Sequence, residues 1–139
     1  MPYALTVTLP VALIAANRMQ RMHWAALGRY KKLLGEELMV AMPPRVRPLQ
    51  PIQKAAMTIQ IYTCHAQDTD NQVASCKPLI DLFLPPGEPR VIRGKLSVPH
   101  PGGLSIIADD NPACLALTVL AAIRVRTRKE QRVVVEVSG

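Results

Sequence analysis

The sequence predicts an α+β fold in which helices pack on a small mixed or antiparallel sheet. Residues 3–9 and 55–64 alternate between apolar and polar side chains, which is the period of a half-buried strand. Residues 21–42 instead have the apolar spacing of an amphipathic helix. The length of 139 residues favours a single domain over residues 1–139, and an apolar fraction of 49% is sufficient for a core.

The composition narrows the class of protein. No apolar run approaches the roughly 20 residues that span a bilayer, and no charged segment precedes the apolar residues 11–16 as in a signal peptide. Three cysteines do not form a disulfide framework. We therefore expect a reduced, cytoplasmic protein with no membrane partner. The net charge of +7 indicates either solubility or a polyanionic partner, because phosphates attract Lys and Arg.

The first half of the chain is predicted to run strand, helix, connector and strand. Pro10 ends the first strand, Asn17 is expected to cap the long helix, and Pro43-Pro44 ends that helix. Prolines within residues 45–53 indicate an extended connector. One apolar stripe of the helix is expected to face the core, formed by Trp24, Leu27, Leu34, Leu38 and either Val40 or Met42.

A second helix is predicted over residues 71–84. Asp70 or Asn71 can cap it, and Pro78 should kink or divide it, because proline removes a helical hydrogen bond. A Pro- and Gly-rich segment at about residues 85–103 then indicates a long loop, and loops of that length are usually functional or disordered.

The C-terminal part of the chain is predicted to be mostly strand. The apolar residues 104–108 form a short strand in this interpretation. Residues 115–126 and 132–137 are also strand-like, and the polar residues 127–131 between them are typical of a hairpin turn.

The acidic residues are concentrated in one region of an otherwise basic chain. Two carboxylates about 4 Å apart repel by roughly 4 kcal/mol at an effective dielectric constant near 20, and a divalent cation commonly offsets such repulsion. On a continuous helix, the spacing of Asp70, Lys77 and Asp81 would place them on one face. Five of the ten acidic residues belong to this ordered motif, which consists of Asp68-x-Asp70-Asn71, Lys77, Asp81 and Asp109-Asp110.

These residues also allow other interpretations. An EF-hand loop would need Gly and Glu where Val73 and Leu79 stand, so that site is excluded. The spacing of the Cys and His residues matches no paired zinc pattern, so the cysteines are expected to be small core residues. A purely structural interpretation stays open. In it, Asp68 and Asp70 serve as turn or cap residues, Asp81 pairs with Lys77, and Asp110 caps a turn.

The order of these residues resembles the RusA family of Holliday junction resolvases. The resemblance includes the acidic motif, the apolar stretch that leads into Asp109-Asp110, and the two strand-like segments after it. It also includes the opening strand, Asn17, His23-Trp24 and the basic residues 29–32, so it covers nearly the whole chain. Two features depart from the family pattern. Lys77 follows Asp68 at a longer spacing than in the best-studied form, and the loop at 85–103 is longer than in compact members.

The resemblance implies a RusA-like fold and a magnesium-dependent endonuclease. Such an enzyme resolves four-way DNA junctions by paired phosphodiester cuts in recombination and repair. Asp68, Asp70 and Asp110 would bind Mg²⁺ or, as a substitute, Mn²⁺, and Asp109 is an additional candidate ligand. Lys77 would act on the scissile phosphate. Asn71 and Asp81 would orient these groups without binding the metal ion, and Asp81 would orient Lys77.

The resemblance also implies the partners. They are branched DNA and a second copy of the chain, because two symmetric cuts suit a homodimer. The location would be the host cytoplasm if a bacteriophage encodes the chain, and no small-molecule cofactor is expected. Alternatives are a branched-DNA-binding protein without catalysis, a nuclease for forks or flaps, and a basic structural protein.

The basic residues near the start of the long helix are the best candidates for contacts with DNA. Phosphate contacts of this kind position a substrate without reading its sequence. A solvated helix face is the alternative. Trp24 is expected to anchor the core rather than to form a stacking platform for bases. The candidate DNA-binding residues are Arg18, Arg21, His23, Arg29, Lys31 and Lys32.

Overall fold

The computed structural model describes residues 2–43, 46–65, 68–99 and 101–139. It has a mixed α+β architecture, as predicted. A single 3₁₀ turn at Arg128–Glu130 precedes the last strand. In chain order the elements are β1 (Ala4–Leu9), α1 (Ala16–Met19), α2 (Trp24–Ala41), β2 (Ala55–Thr63), α3 (Thr69–Ser75), α4 (Lys77–Asp81), β3 (Arg90–Ile92), β4 (Lys95–Ser97), β5 (Leu115–Val119), β6 (Ile123–Arg124) and β7 (Arg132–Ser138).

The main sheet is mixed, with strand order β1-β7-β2-β5, and β6 also pairs with β2. Strand β7 is antiparallel to both β1 and β2, whereas β2 is parallel to β5 and β6. Parallel neighbours need a long crossover connection, and here that connection contains α3, α4 and residues 82–114. Strands β3 and β4 form a separate two-stranded sheet.

The core lies on one face of the main sheet. Alternate residues of β1, β2 and β7 are buried, such as Val7, Ile59 and Val135. Helix α2 packs on β1 and α4. Burying a large aliphatic side chain stabilises a fold by about 1.5–3 kcal/mol, so this one-sided packing accounts for the strict alternation in the sequence. Helix α2 contributes three buried side chains, those of Tyr30, Leu34 and Leu38.

The long helix begins later than predicted. Asn17 lies inside the short helix α1, and His23 is the N-cap of α2, where its Nδ1 accepts a hydrogen bond from the Ala25 N–H at 3.2 Å. The predicted stripe was wrong at Trp24, which is 80% exposed, and of the two alternatives for its last member Met42 packs against the core whereas Val40 is exposed. Trp24 lies six positions before Tyr30. At 3.6 residues per turn, this places Trp24 about 120° around the helix axis from the buried Tyr30.

The predicted division of the second helix at Pro78 is confirmed. Helix α3 ends at Ser75 and α4 begins at Lys77, so Pro78 lies in the first turn of α4, where its missing N–H breaks no helical hydrogen bond. The predicted cap was wrong, because Asp68 rather than Asp70 or Asn71 caps α3.

The segment predicted as a loop at 85–103 contains the β3–β4 hairpin. Residues 104–108 do not form a strand. They make one isolated bridge, Ile52 to Ile107. The N–H groups of residues 104–107 donate instead to carbonyls of residues 82–84, just after α4, and the Ala108 N–H donates to the Ile52 carbonyl oxygen. These hydrogen bonds hold residues 104–107 beside residues 82–84 and so close the base of the segment 85–103.

The predicted hairpin at residues 127–131 was also wrong. Strands β6 and β7 lie on opposite sides of β2, so the connection between them crosses over the end of β2. Gln131 stabilises this crossing by joining it to the residue after β2, because its Oε1 accepts a hydrogen bond from the Cys64 N–H at 3.1 Å. Within the described ranges, no helix has the length and apolarity needed to cross a membrane.

Candidate functional site

Lys77 connects two of the predicted acidic residues. Its Nζ lies 2.8 Å from Asp81 Oδ1 and 2.5 Å from Asp110 Oδ2. Lys77 and Asp81 are one helical turn apart in α4, whereas Asp110 comes from the segment that leads into β5. The fold therefore brings together three residues of the motif, two of which are 33 positions apart in the sequence.

The local sequence explains how Lys77 is positioned. The three residues that follow it in α4, which are Pro78, Leu79 and Ile80, are buried in the core. They fix the orientation of α4, and the Lys77 side chain is left 55% exposed beside an Asp110 side chain that is 34% exposed. The ammonium group is therefore held by two carboxylates and remains accessible to solvent.

Lys77, Asp81 and Asp110 form a cluster, called the Lys77 cluster below, in which opposite charges stabilise the ionised forms of Lys77 and Asp110. Burial alone would lower the pKa of Lys77, but hydrogen bonds to Asp110 and Asp81, together with their negative charges, raise it above its ordinary value. The hydrogen bond from Lys77 lowers the pKa of Asp110, and partial burial opposes this only in part. Both groups are therefore ionised at neutral pH.

Asp109 is engaged in a turn beside the cluster. Its Oδ1 accepts from the Asp110 N–H at 2.7 Å, and its Oδ2 accepts from Asn111 Nδ2 at 2.8 Å. Asn111 Oδ1 in turn accepts from the N–H groups of Ala113 and Cys114. This turn fixes the backbone that presents the Asp110 side chain to Lys77.

Asp68 and Asp70 lie at the other end of α3. Asp68 Oδ1 accepts from the Asn71 N–H at 2.8 Å and caps the helix. Asp70 is exposed in the first turn, where a negative charge suits the helix dipole. The seven residues of α3 span roughly 10 Å at about 1.5 Å per residue, and the break at Cys76 interrupts the helical face that the sequence spacing implied. Among the described residues, Lys77 forms its ion pairs with Asp81 and Asp110, and not with Asp68 or Asp70.

The carboxylates, as they lie, do not fit the magnesium or manganese site that the family resemblance implies. Across residues 2–43, 46–65, 68–99 and 101–139, no three His, Cys, Asp or Glu side chains are grouped so that they could hold a metal ion. Mg²⁺ requires oxygen ligands at about 2.1 Å in octahedral geometry. Here one oxygen of Asp68 caps a helix, both oxygens of Asp109 accept hydrogen bonds, and Oδ2 of Asp110 is bound to Lys77.

The three cysteines are free thiols. Cys76 lies in the core at the break between α3 and α4, as expected for a small core residue, and burial raises the pKa of its thiol to about 11. Its Sγ contacts the Gln72 carbonyl oxygen at 3.3 Å. Cys64 and Cys114 are partly exposed.

Two clefts border the Lys77 cluster. One, of about 970 Å³, lies between α2 and α4 and is lined in part by Lys31, Lys32 and Asp81. The other, of about 570 Å³, is lined in part by Lys31, Lys77 and Asp110. Lys31 therefore links the predicted basic face of α2 with the cluster on α4.

The predicted DNA-contacting residues are all exposed. Arg18 lies on α1, Arg21 and His23 lie between α1 and α2, and the remaining three lie on α2, namely Arg29, Lys31 and Lys32. Trp24 was missed as a functional candidate. Its ring is close to the ring of His23, with centroids 5.4 Å apart. Its place among cationic residues in the sequence was the available signal.

No protein-family model, no curated protein and no solved structure matches this chain. The resemblance to the RusA family therefore stays a prediction from the order of the acidic and basic residues along the sequence. The contacts of Lys77, the adjoining clefts and the exposed basic face are properties of this chain itself.

Proposed function

We propose that this chain is a RusA-like endonuclease that cuts branched DNA, and four-way junctions above all. The observation that carries the proposal is the position of Lys77, an accessible cation held by Asp81 and Asp110 where two clefts meet the basic helix α2. Negative charge accumulates on a phosphate as its ester bond is cut, and a preorganised cation stabilises that charge.

The charge state of the cluster suits this role. Because its pKa is raised, Lys77 remains positive at neutral pH and is available to a phosphate oxygen. Asp110, whose pKa is lowered, remains a carboxylate that can orient Lys77 or accept a hydrogen bond from an attacking water. Asp81 restrains the Lys77 side chain from within α4.

The surface around the cluster supports DNA as the substrate. Exposed cations on α1 and α2 can contact phosphates near the cleft that Lys31 borders. The exposed Trp24 can stack on an unpaired base, and such bases occur where a duplex branches. A homodimer would supply the two cuts that junction resolution needs, in the host cytoplasm if a bacteriophage encodes the chain.

A second candidate is a branched-DNA-binding protein without catalysis. It is favoured by the engagement of the carboxylates, because Lys77 already neutralises Asp110 and Asp68 is used as a helix cap. This protein would bind junctions through the same basic face and would leave them uncut.

Cleavage of a synthetic four-way junction tests the proposal. The wild type is expected to nick the junction, and the nicks are mapped on a denaturing gel with Mg²⁺, with Mn²⁺ and in EDTA. Lys77→Met and Asp110→Asn should abolish nicking and leave junction binding largely intact, because they change the two groups that would act on the scissile phosphate. Glu136→Gln, which changes an exposed carboxylate on β7, and a linear duplex of the same sequence are the matched controls. Binding without cutting under both cations would favour the second candidate and overturn the first.

A further inference from the structure

The hairpin arm, defined as residues 90–97, is a second surface with no role in the proposed chemistry. Strands β3 and β4 pair only with each other in the described structure and form a sheet apart from the main one. All eight residues of the arm are exposed. An isolated two-stranded hairpin is at best marginally stable in water, so this arrangement points to a partner that covers it.

The two faces of the hairpin arm differ in character. The register pairs Val91 with Leu96, so both side chains lie on one face, where they are 74% and 72% exposed. Neither of them belongs to the hydrophobic core or to the side chains packed against it. The register places four residues on the other face, which are Arg90, Ile92, Lys95 and Ser97. One face is thus apolar and the other is mainly polar and cationic.

The tip of the arm places an arginine in an unfavourable conformation. Arg93 has φ 50° and Gly94 has φ 77°, which are the positive values that a type I′ turn needs at both central positions. Gly94 adopts this conformation without strain, but the first position favours Asn, Asp or Gly, and a bulky residue there is uncommon. The turn therefore carries a cation at its end where a neutral residue would fold better, and this indicates that the charge serves binding.

The base of the arm is tightly closed. The Gly87 N–H donates to the Pro99 carbonyl at 2.6 Å, and a Cβ at Gly87 would lie only 2.6 Å from Pro99 Cβ. Below it, Leu104 N–H donates to the Leu82 carbonyl oxygen. The arm is therefore a defined projection from the connection that runs between Asp81 and Asp109.

We propose that the hairpin arm binds DNA. Arg90, Arg93 and Lys95 would contact phosphates of one strand, and the pair Val91 and Leu96, on the opposite face, would lie against sugars or unstacked bases of another strand at the branch. The proposal rests on the proposed function only in taking DNA as the polyanion. A second copy of the chain fits less well, because residues 90–97 contain three cations and no acidic residue, so two arms in a symmetric contact would repel.

Binding of a fluorescent four-way junction, measured by anisotropy in EDTA over a range of salt concentrations, tests this proposal. Arg93→Asn puts a favourable residue into the turn and removes the charge, so the fold should be at least as stable while the affinity falls by about threefold to tenfold. The slope of log K against log salt concentration should fall by about 0.9 for one lost phosphate contact. The double variant Val91→Ala, Leu96→Ala should weaken binding with an unchanged slope. Arg126→Asn, outside the arm, is the matched control.

The outcomes separate this proposal from the nuclease. If the wild type binds the junction but never cuts it, and the arm variants bind more weakly, then the arm proposal is supported and the nuclease proposal is overturned. If the arm variants bind and cut like the wild type, then the arm proposal is overturned and the nuclease stands. Failure of the wild type to bind DNA overturns the arm proposal. So does loss of a dimer, or of anionic vesicle binding, in the double variant while its DNA affinity is unchanged.

Discussion

Lys77 Nζ lies 2.5 Å from Asp110 Oδ2, and the two residues are separated by 33 positions in the sequence. This pair joins the start of α4 to the segment that leads into β5. It also closes the long connection that carries the hairpin arm, together with the backbone hydrogen bonds between residues 82–84 and 104–107. The same contact therefore has a structural role and is the centre of the proposed site.

The pair should make a small, pH-dependent contribution to stability. Since the folded state lowers the pKa of Asp110, its contribution is present above the ordinary value of 3.8 and is lost as the pH falls through the lower folded value. Since the pKa of Lys77 is raised, its contribution is present below 10.5 and is lost as the pH rises through the higher folded value. Exposed pairs contribute only about 0.2–1 kcal/mol.

Urea unfolding of the wild type and Asp110→Asn at several pH values checks this expectation. The variant should be less stable at pH 7, and the difference should shrink in strong acid, once Asp110 is protonated. Glu136→Gln is the control, because its carboxylate is exposed on β7 and forms no ion pair with Lys77. A difference between wild type and Asp110→Asn that is the same at neutral and strongly acidic pH would contradict the charge-pair explanation.

Asp68 has a structural role that can be separated from its charge. Asp68→Ala should lower the free energy of unfolding by about 0.5–2 kcal/mol, because α3 loses its cap, whereas Asp68→Asn should be nearly neutral. Thermal unfolding measures both. Since Asp68→Asn retains the cap, any loss of junction cutting in that variant reports on the carboxylate itself. Equal stability of the Ala variant and the wild type would exclude the capping role.

Trp24 provides a direct probe of DNA binding, because it is the only tryptophan in the chain. Its exposed indole should be quenched when a junction binds, and Trp24→Ala should weaken binding by the equivalent of about 1–3 kcal/mol if a base stacks on it. Trp24→Phe keeps an aromatic face and should retain part of the affinity. Because the side chain contributes little to the core, neither change should alter the unfolding transition appreciably. Fluorescence unaffected by saturating DNA would rule out stacking.

Gly103 should tolerate no side chain. A Cβ there would collide with the Leu84 carbonyl oxygen, which is backbone and cannot rotate away, so Gly103→Ala should destabilise by about 1–3 kcal/mol. Gly28→Ala is the matched control, because nothing lies within 4 Å of its Cβ position in α2. Replacing a helical glycine there should stabilise by about 0.5–1 kcal/mol. Chemical denaturation distinguishes the two, and equal effects would contradict this packing.

The features that the sequence predicted correctly are those that depend on local chemistry. The alternation of residues 55–64 predicted β2 because burial on one face requires it, and Pro78 predicted the break between α3 and α4 because it cannot donate a hydrogen bond. The pairing of Lys77 with Asp81 followed from a spacing of one helical turn. None of these depends on where distant segments meet.

The features that were missed depend on tertiary contacts. Alternation within residues 115–126 and 132–137 indicates strands but not their neighbours, so the insertion of β2 between them could not be inferred. Helical periodicity also left the direction of Trp24 open, because the buried face is set by Tyr30, Leu34 and Leu38. The shared ligand role of Asp68, Asp70, Asp109 and Asp110 was implied by the family resemblance, and the sequence did not show that Asp68 and Asp109 accept local hydrogen bonds.

The position of β7 between β1 and β2 has a consequence for biosynthesis. In the described chain β1 has hydrogen-bonded strand pairing with β7 alone, and β2 is joined to β1 only through it. A nascent chain emerging from the ribosome would therefore hold β1 unpaired until residues 132–138 are released, whereas β2 can pair earlier with β5 and β6. Completion of the sheet then waits for β7, and until β7 pairs with it the backbone of β1 would need protection from aggregation.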